Sequence, residues 1–261
     1  MATSASSTSP RQRWRSTLAD CRFPVAVSSS PPDKTPQRIA GMFDAIAPRY
    51  DLLNHLLSAG IDKRWRTRAI RTLQLSGRET LVDVCTGTAD IALAAHGAGR
   101  VIGVDFAGAM LGLGLKKVRQ AGEGQRITLV RGDALNLPVA DGIADAVTIG
   151  FGIRNVQKPE VGCAEMARVL RRGGRLAILE FGMPRVPGVR ALYEWYFSRV
   201  LPFIGQRISG HGGAYSYLPA SVGTFPPPAE FVTVLRQAGF ADVRAVPLTF
   251  GIVYLYTAVK R

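Results

Sequence analysis

Cysteine is scarce in this sequence: Cys21, Cys85 and Cys163 stand far apart, with no CxxC spacing and no histidine at metal-ligand distance. That excludes a disulfide framework or a zinc module and suits a reducing, cytoplasmic compartment. Acid is also short, with 19 Asp and Glu against 33 Lys and Arg, a net charge of +14. Such a field attracts phosphate-rich partners of any kind without choosing among them. No apolar run approaches the ~18 residues that a membrane-crossing helix needs, so the expectation is a chain that is soluble or peripheral to a membrane. A GxGxxG fingerprint is missing from the first strand-to-helix turn, which leaves a pyrophosphate without a cradle and argues against a nicotinamide cofactor.

What is present divides the chain in two. Residues 1–36 are rich in Ser, Thr, Pro and Arg, with only Asp20 and Asp33 as acids, and lack hydrophobic periodicity. They are expected to form a disordered or targeting-like tail. Residues 37–261 are expected to form one domain. Apolar runs of strand length recur there as TLVDV at 80–84, RVIGVD at 100–105, RITLVRG at 126–132, DAVTIGF at 145–151 and GRLAILEF at 174–181. The helix-like EVGCAEMARVL precedes the last of these and is expected to stop at RRGG. Continuous apolar strands joined by helices imply a parallel sheet covered on both faces. After a helix near Ala229 to Gln237, DVRAVPLTF and GIVYLYTAVK follow with almost nothing between them. That spacing requires an antiparallel hairpin. The expected fold is therefore α/β: a Rossmann-like, seven-stranded, mostly parallel sheet ending in an antiparallel pair.

Ligands of such sheets bind where the loops leave the carboxyl ends of the strands. The first loop is Asp83-Val84-Cys85-Thr86-Gly87-Thr88-Ala89-Asp90, where Gly87 permits a tight turn and the helix that follows offers free N–H groups to a carboxylate. Asp105 ends the next strand, placed to take both hydroxyls of a ribose. Asp133 and Ala134 follow the third strand, and Gly150-Phe151-Gly152-Ile153-Arg154-Asn155 follows the fourth. Singly, a Gly-Thr turn is more often structural and a strand-end Asp is often a helix cap. Together they describe a crevice for a nucleoside with a short amino-acid arm, which S-adenosylmethionine fits.

The segments FDAIAPRYDLLNHLLSAGIDKRWR, VDVCTGTAD, GVDFAGAML, GDALNLPV, FGIRNV, VLRRGGRLAILEFGMP, LPFIGQRISG and YSYLPASV carry a resemblance over about Ile39 to Lys260. The chain resembles the quinone-biosynthesis C-methyltransferases that include demethylmenaquinone methyltransferase and 2-methoxy-6-polyprenyl-1,4-benzoquinol methylase. The resemblance implies S-adenosylmethionine contacts at Thr88, Asp105, Asp133 and Ala134, with Gly150 near the methionine arm and Asp83 supporting the turn and the cofactor's ammonium. It implies C-methylation of a prenylated quinol, demethylmenaquinol to menaquinol or the corresponding benzoquinol step. Where the family usually carries Gly, this chain has Ala89, which is tolerable at a negative φ. Near His211-Gly212-Gly213 the family's acids are missing, so a base role there does not transfer.

For the chemistry, Arg154 is the candidate partner of the quinolate oxygen, because a guanidinium stays charged, with Asn155 orienting the same oxygen. The alternative for Arg154 is a structural ion pair. Tyr215 and Tyr217 are candidates for lining the quinol pocket or taking a proton, although packing alone also explains them. The aromatic and basic segment at 189–208 suits peripheral contact with membrane lipid, and core burial suits its aromatics equally. FGIRN stands where base methyltransferases carry Asn/Asp-Pro-Pro-Tyr/Phe, so no nucleic-acid partner is expected. Small-molecule O- or N-methylation, a non-catalytic scaffold and a homodimer stay open, and no metal is expected.

Overall fold

The sheet's carboxyl edge and the helix laid across it set the position of everything that follows. A computed structural model describes residues 33–58, 60–184, 186–200 and 212–261. The expected tail lies, through residue 32, outside the described residues; so do LPFIGQRISG and His211. Helices α1 (Pro36–Leu57) and α2 (Ile61–Thr72) come first. Then follow β1 (Thr80–Val84), α3 (Asp90–Ala94), β2 (Arg100–Asp105), α4 (Gly108–Gln120), β3 (Ile127–Arg131) and β4 (Ala144–Gly150). A 3-10 turn (Ile153–Asn155) leads to α5 (Pro159–Val169), β5 (Leu170–Phe181) and α6 (Pro187–Trp195). The chain ends with α7 (Gly212–Thr224), α8 (Pro228–Gln237), β6 (Phe240–Leu248) and β7 (Val253–Lys260).

The seven strands lie in the order β3-β2-β1-β4-β5-β7-β6. Strands β1 to β5 pair in parallel, and β7 runs antiparallel between β5 and β6. The expected fold class and closing hairpin are both found. Side chains alternate across the sheet as the two-residue period demands. Val82, Val84, Val147, Ile149, Leu176 and Ile178 pack on one face with Met166 of α5 and Phe231 of α8. Leu81, Val101, Ala146, Ala177 and Leu179 pack on the other with Trp65, Ala69 and Leu73, the α2 face and its end. Fully burying a side chain such as Leu81 or Ile149 stabilises the fold by roughly 1.5–3 kcal/mol. An unpaired charge in place of one of these apolar side chains would break the sandwich.

One boundary departs from expectation. The RRGG segment does not end α5 and open a loop; the chain passes from Val169 directly into β5. Ala144 pairs with Leu170 and Ala146 already pairs with Arg175, so the extra residues loop out as a bulge. Gly173, at φ 74, makes that excursion without strain.

Candidate active site

The strand order reverses between β1 and β4, and the loops on either side part there to open a crevice. It encloses about 800 Å³, its mouth included, and its walls carry Gly87, Asp105, Asp133, Ala134, Gly150 and Asn155. Much of its floor is bare backbone. A Cβ on Gly152 would stand 2.5 Å from the Cβ of Cys85, so only glycine lets the ends of β1 and β4 approach this closely.

The turn after β1 is wound by residues in the left-handed region, with φ 52 at Cys85, 56 at Gly87 and 66 at Ala89. Ala89 therefore does not have the negative φ that would make its methyl harmless. The tight turn leaves the left-handed region as the only way into α3, and alanine bears about 1–2 kcal/mol of steric cost there. Space is not the difficulty, since the facing residue is Gly114, where an added Cβ would lie 3.3 Å from the Ala89 methyl. Beneath the turn, the Thr86 hydroxyl donates to Asp83 at 2.6 Å and that of Thr148 at 2.8 Å. Asp83 is buried and does not line the crevice. Burial lifts its carboxyl to about 6, against the two hydroxyl hydrogen bonds that lower it.

Asp105 ends β2 with its carboxylate in the crevice. One oxygen accepts the Gly87 N–H at 2.7 Å and the other the Ala107 N–H at 2.8 Å. Those bonds fix the plane of the carboxylate and leave lone pairs facing inward, as recognition of a diol requires. Burial raises its pKa, with the backbone donors pulling the other way. At the end of β3, Asp133 accepts the Leu135 N–H at 2.9 Å, which holds the short turn carrying Ala134. These residues suit S-adenosylmethionine: acids at two strand ends, exposed backbone at Gly87 and Gly150, and no basic cradle for a pyrophosphate.

Helix α1 supplies the wall that sequence reasoning missed. Ile39, Ala40, Phe43 and Tyr50 line the crevice from above. Asp44 accepts the Ala109 N–H at 2.8 Å at the start of α4. Asp51 accepts the Thr88 hydroxyl at 2.6 Å and the Lys117 ammonium at 3.0 Å. Lys117 also reaches Thr88 at 3.2 Å and pairs with Asp90. Thr88 thus stands off the crevice lining, with its hydroxyl tied to the helix above. The signal was there in the helical spacing of Ile39, Phe43 and Tyr50, inside a segment noted only for its resemblance.

The fourth loop separates the two residues expected to act together. Arg154 is only 6% exposed and does not line the crevice. Its guanidinium donates to Glu180 at 2.8 Å, to the Phe151 carbonyl and to Ser221 at 3.3 Å, and lies 5.3 Å from the Phe181 ring centre. This is a buried ion pair, the alternative set out for it. Asn155 does face the crevice, and its Oδ1 is buried without a hydrogen-bond partner. Tyr217 projects its hydroxyl, also unpartnered, into the surroundings of Arg154 and Glu180. Burial pushes that phenol up to about 12, which makes it a poor proton acceptor at neutral pH. Tyr215 lies on α7, and its side chain is outside the described residues. Among the described residues no metal-binding cluster occurs.

Sheet order, switch-point crevice and strand-end acids together define an S-adenosylmethionine-dependent methyltransferase. Solved structures share this fold, among them the [4+2]-cyclase SpnF (TM-score 0.63, 17% identity, covering 87% of this chain and 96% of that one). A Thermotoga maritima SAM-dependent methyltransferase aligns with TM-score 0.59 at 17% identity, over 85% of this chain and 99% of its own. At that identity the likeness concerns the fold alone.

Sequence comparison is more specific. The chain belongs to the ubiE/COQ5 methyltransferase family, whose model matches residues 33–260. It is 49% identical to the ubiquinone/menaquinone biosynthesis C-methyltransferase UbiE of Syntrophotalea carbinolica, over 84% of this chain and 92% of that protein. It is 46% identical to the demethylmenaquinone methyltransferase of Thermus thermophilus, over 82% of this chain and 98% of that protein.

Proposed function

We propose that the chain methylates a ring carbon of a prenylated quinol, converting demethylmenaquinol to menaquinol. The observation that carries this is the crevice itself, which joins a nucleoside-binding carboxylate, Asp105, to an unpartnered carboxamide oxygen, that of Asn155, in a chain whose relatives are named for quinone C-methylation. Bound there, S-adenosylmethionine supplies a methyl group on a sulfonium. Asp105 holds the ribose, Asp133 and Ala134 the adenine, and Gly87 and Gly150 present backbone to the amino-acid arm. Asp83 braces the turn from below. Thr88, tied to Asp51, joins the turn to α1, which covers the crevice from above.

Asn155 orients the acceptor hydroxyl through its free Oδ1. Arg154 works as a positioning residue: its grip on Glu180 and on the Phe151 carbonyl fixes the loop that presents Asn155. The acceptor's isoprenoid tail is insoluble in water, which calls for contact with lipid. On α6, Leu192 and Trp195 are 64% and 56% exposed beside Arg190, a composition suited to an interface between lipid and water. No helix among the described residues is long and apolar enough to cross a membrane.

The direct test combines the purified chain, S-adenosylmethionine and a short-chain demethylmenaquinol, with products followed by mass spectrometry. A mass gain of one methyl on the ring supports the proposal. Transfer only to oxygen, or none, removes it. In calorimetry, Asp105→Ala is expected to weaken cofactor binding about 100-fold, as two charge-assisted hydrogen bonds of about 1.5 kcal/mol each are lost. A change below about threefold would free Asp105 from this role.

A further inference from the structure

Lys34 is the cation of this crevice that the mechanism has not used. It lines the cavity that Asn155 lines, a half-buried side chain just before α1. Among the described residues it makes no ion pair and no hydrogen bond through its ammonium. Its charged neighbours are Arg154 and Glu180, and these are committed to each other at 2.8 Å. Tyr193 and Tyr217 feel the same pair, and both phenols are held neutral by burial. Glu180 also accepts two backbone hydrogen bonds, from the Arg154 N–H at 3.1 Å and the Phe181 N–H at 2.8 Å. Among the described residues, Glu180 is thus committed elsewhere and forms no ion pair with Lys34.

A lone ammonium and a buried polar oxygen with no partner, both on the wall of one crevice, describe a place for a ligand group that is both anion and hydrogen-bond donor in turn. We infer that Lys34 and Asn155 together form the subsite for the acceptor's ring hydroxyl, Asn155 accepting its hydrogen bond and Lys34 pairing with the oxygen once it ionises. In that step the O–H bond breaks, the proton passes to water, and the oxygen keeps the electron pair, which the ammonium stabilises. Negative charge on the oxygen is shared with its ortho carbon, and that makes the carbon nucleophilic.

The electrostatics agree. Burial is the largest influence lowering the Lys34 pKa and the Arg154 charge is the next, while Glu180 opposes them. A bound oxyanion supplies the counter-charge that this cation otherwise lacks. Arg154 cannot do so without leaving Glu180, and a buried carboxylate stripped of its cation is costly.

The inference rests on the quinol reading, and the experiment separates the two. The full chain and its Lys34→Gln and Lys34→Arg variants are assayed with S-adenosylmethionine and a short-chain demethylmenaquinol across pH, with cofactor affinity measured by calorimetry. Loss of one oxyanion partner is worth about 100-fold in kcat. The expected result is a loss of that order in Lys34→Gln, recovery of a tenth or more of the rate in Lys34→Arg, and cofactor affinity within about twofold throughout. The acidic limb of the kcat profile, which reports quinol ionisation, is expected to move to higher pH in Lys34→Gln. A Lys34→Gln enzyme within threefold of the parent overturns the inference, as does a slow enzyme whose acidic limb has not moved. If the parent chain itself transfers no methyl to the quinol, the reading beneath fails instead.

Discussion

Replacing Glu180 by Gln puts the buried ion pair to the test. Glu180 is 0% exposed, and its two oxygens take three donors: the Arg154 guanidinium at 2.8 Å, the Arg154 N–H at 3.1 Å and the Phe181 N–H at 2.8 Å. Glutamine keeps one acceptor and turns an NH2 group toward the rest. Arg154 then remains 6% exposed with no counter-charge, and Lys34 close by adds repulsion. Stranding one partner of a buried pair costs about 3–5 kcal/mol. For a domain of this size, melting falls about 2–4 °C per kcal/mol, so a drop of roughly 6–20 °C is expected by calorimetry. The companion experiment removes both charges. Arg154→Met with Glu180→Leu leaves no orphan, and apolar replacement of a buried pair is often neutral or stabilising. The double variant is expected to melt well above the single one, with a coupling of about 2 kcal/mol or more in the full cycle. It is also expected to methylate slowly, because the loop that presents Asn155 has lost its anchor. A drop under about 3 °C for Glu180→Gln, or additive effects in the cycle, would refute the account of Arg154 as a held group.

Two further outcomes follow from the same neighbourhood. Asp83 titrates near 6 in the fold against about 4 unfolded, so the folded chain takes up a proton there as pH falls. Its contribution is most favourable below pH 4, is lost as pH rises to about 6, and is flat beyond. Asp83→Asn is therefore expected to gain up to ~2–3 kcal/mol relative to the parent between pH 4 and 6 in denaturant titrations; a pH-independent difference contradicts the shift. Lys117→Met cuts the links from α4 to the buried Thr88 and to Asp51 and Asp90, part-exposed carboxylates whose pairs with Lys117 contribute modestly to stability. Melting should change by only a few degrees, whereas cofactor affinity falls about tenfold and α1 amides exchange faster; unchanged α1 exchange rules out the tether.

The sheet was legible from residue order because strand formation is local. Runs of Val, Ile and Leu at 80–84 and 100–105 coincide with β1 and β2 to the residue, and the near-contact of the last two runs forced the closing hairpin. Asp105 was legible for a similar reason: a strand ending in an acid, about a helix beyond a glycine turn, lands beside that turn in any sheet of this type. The RRGG segment misled because glycine marks a helix stop and a strand bulge alike.

Tertiary structure alone decided the rest, because each remaining feature joins residues distant along the chain. Arg154 finds Glu180 across the β4–β5 pairing, and no local pattern says that its charge is already taken. Thr88 turns to Asp51 only because α1 lies over the crevice. The sign of φ at Ala89 depends on the angle between β1 and α3, a quantity no single residue type records. Lys34, by composition part of a tail, comes to line the crevice through packing. Periodicity and turn chemistry act over a few residues; the pairing of charges is settled where distant segments meet.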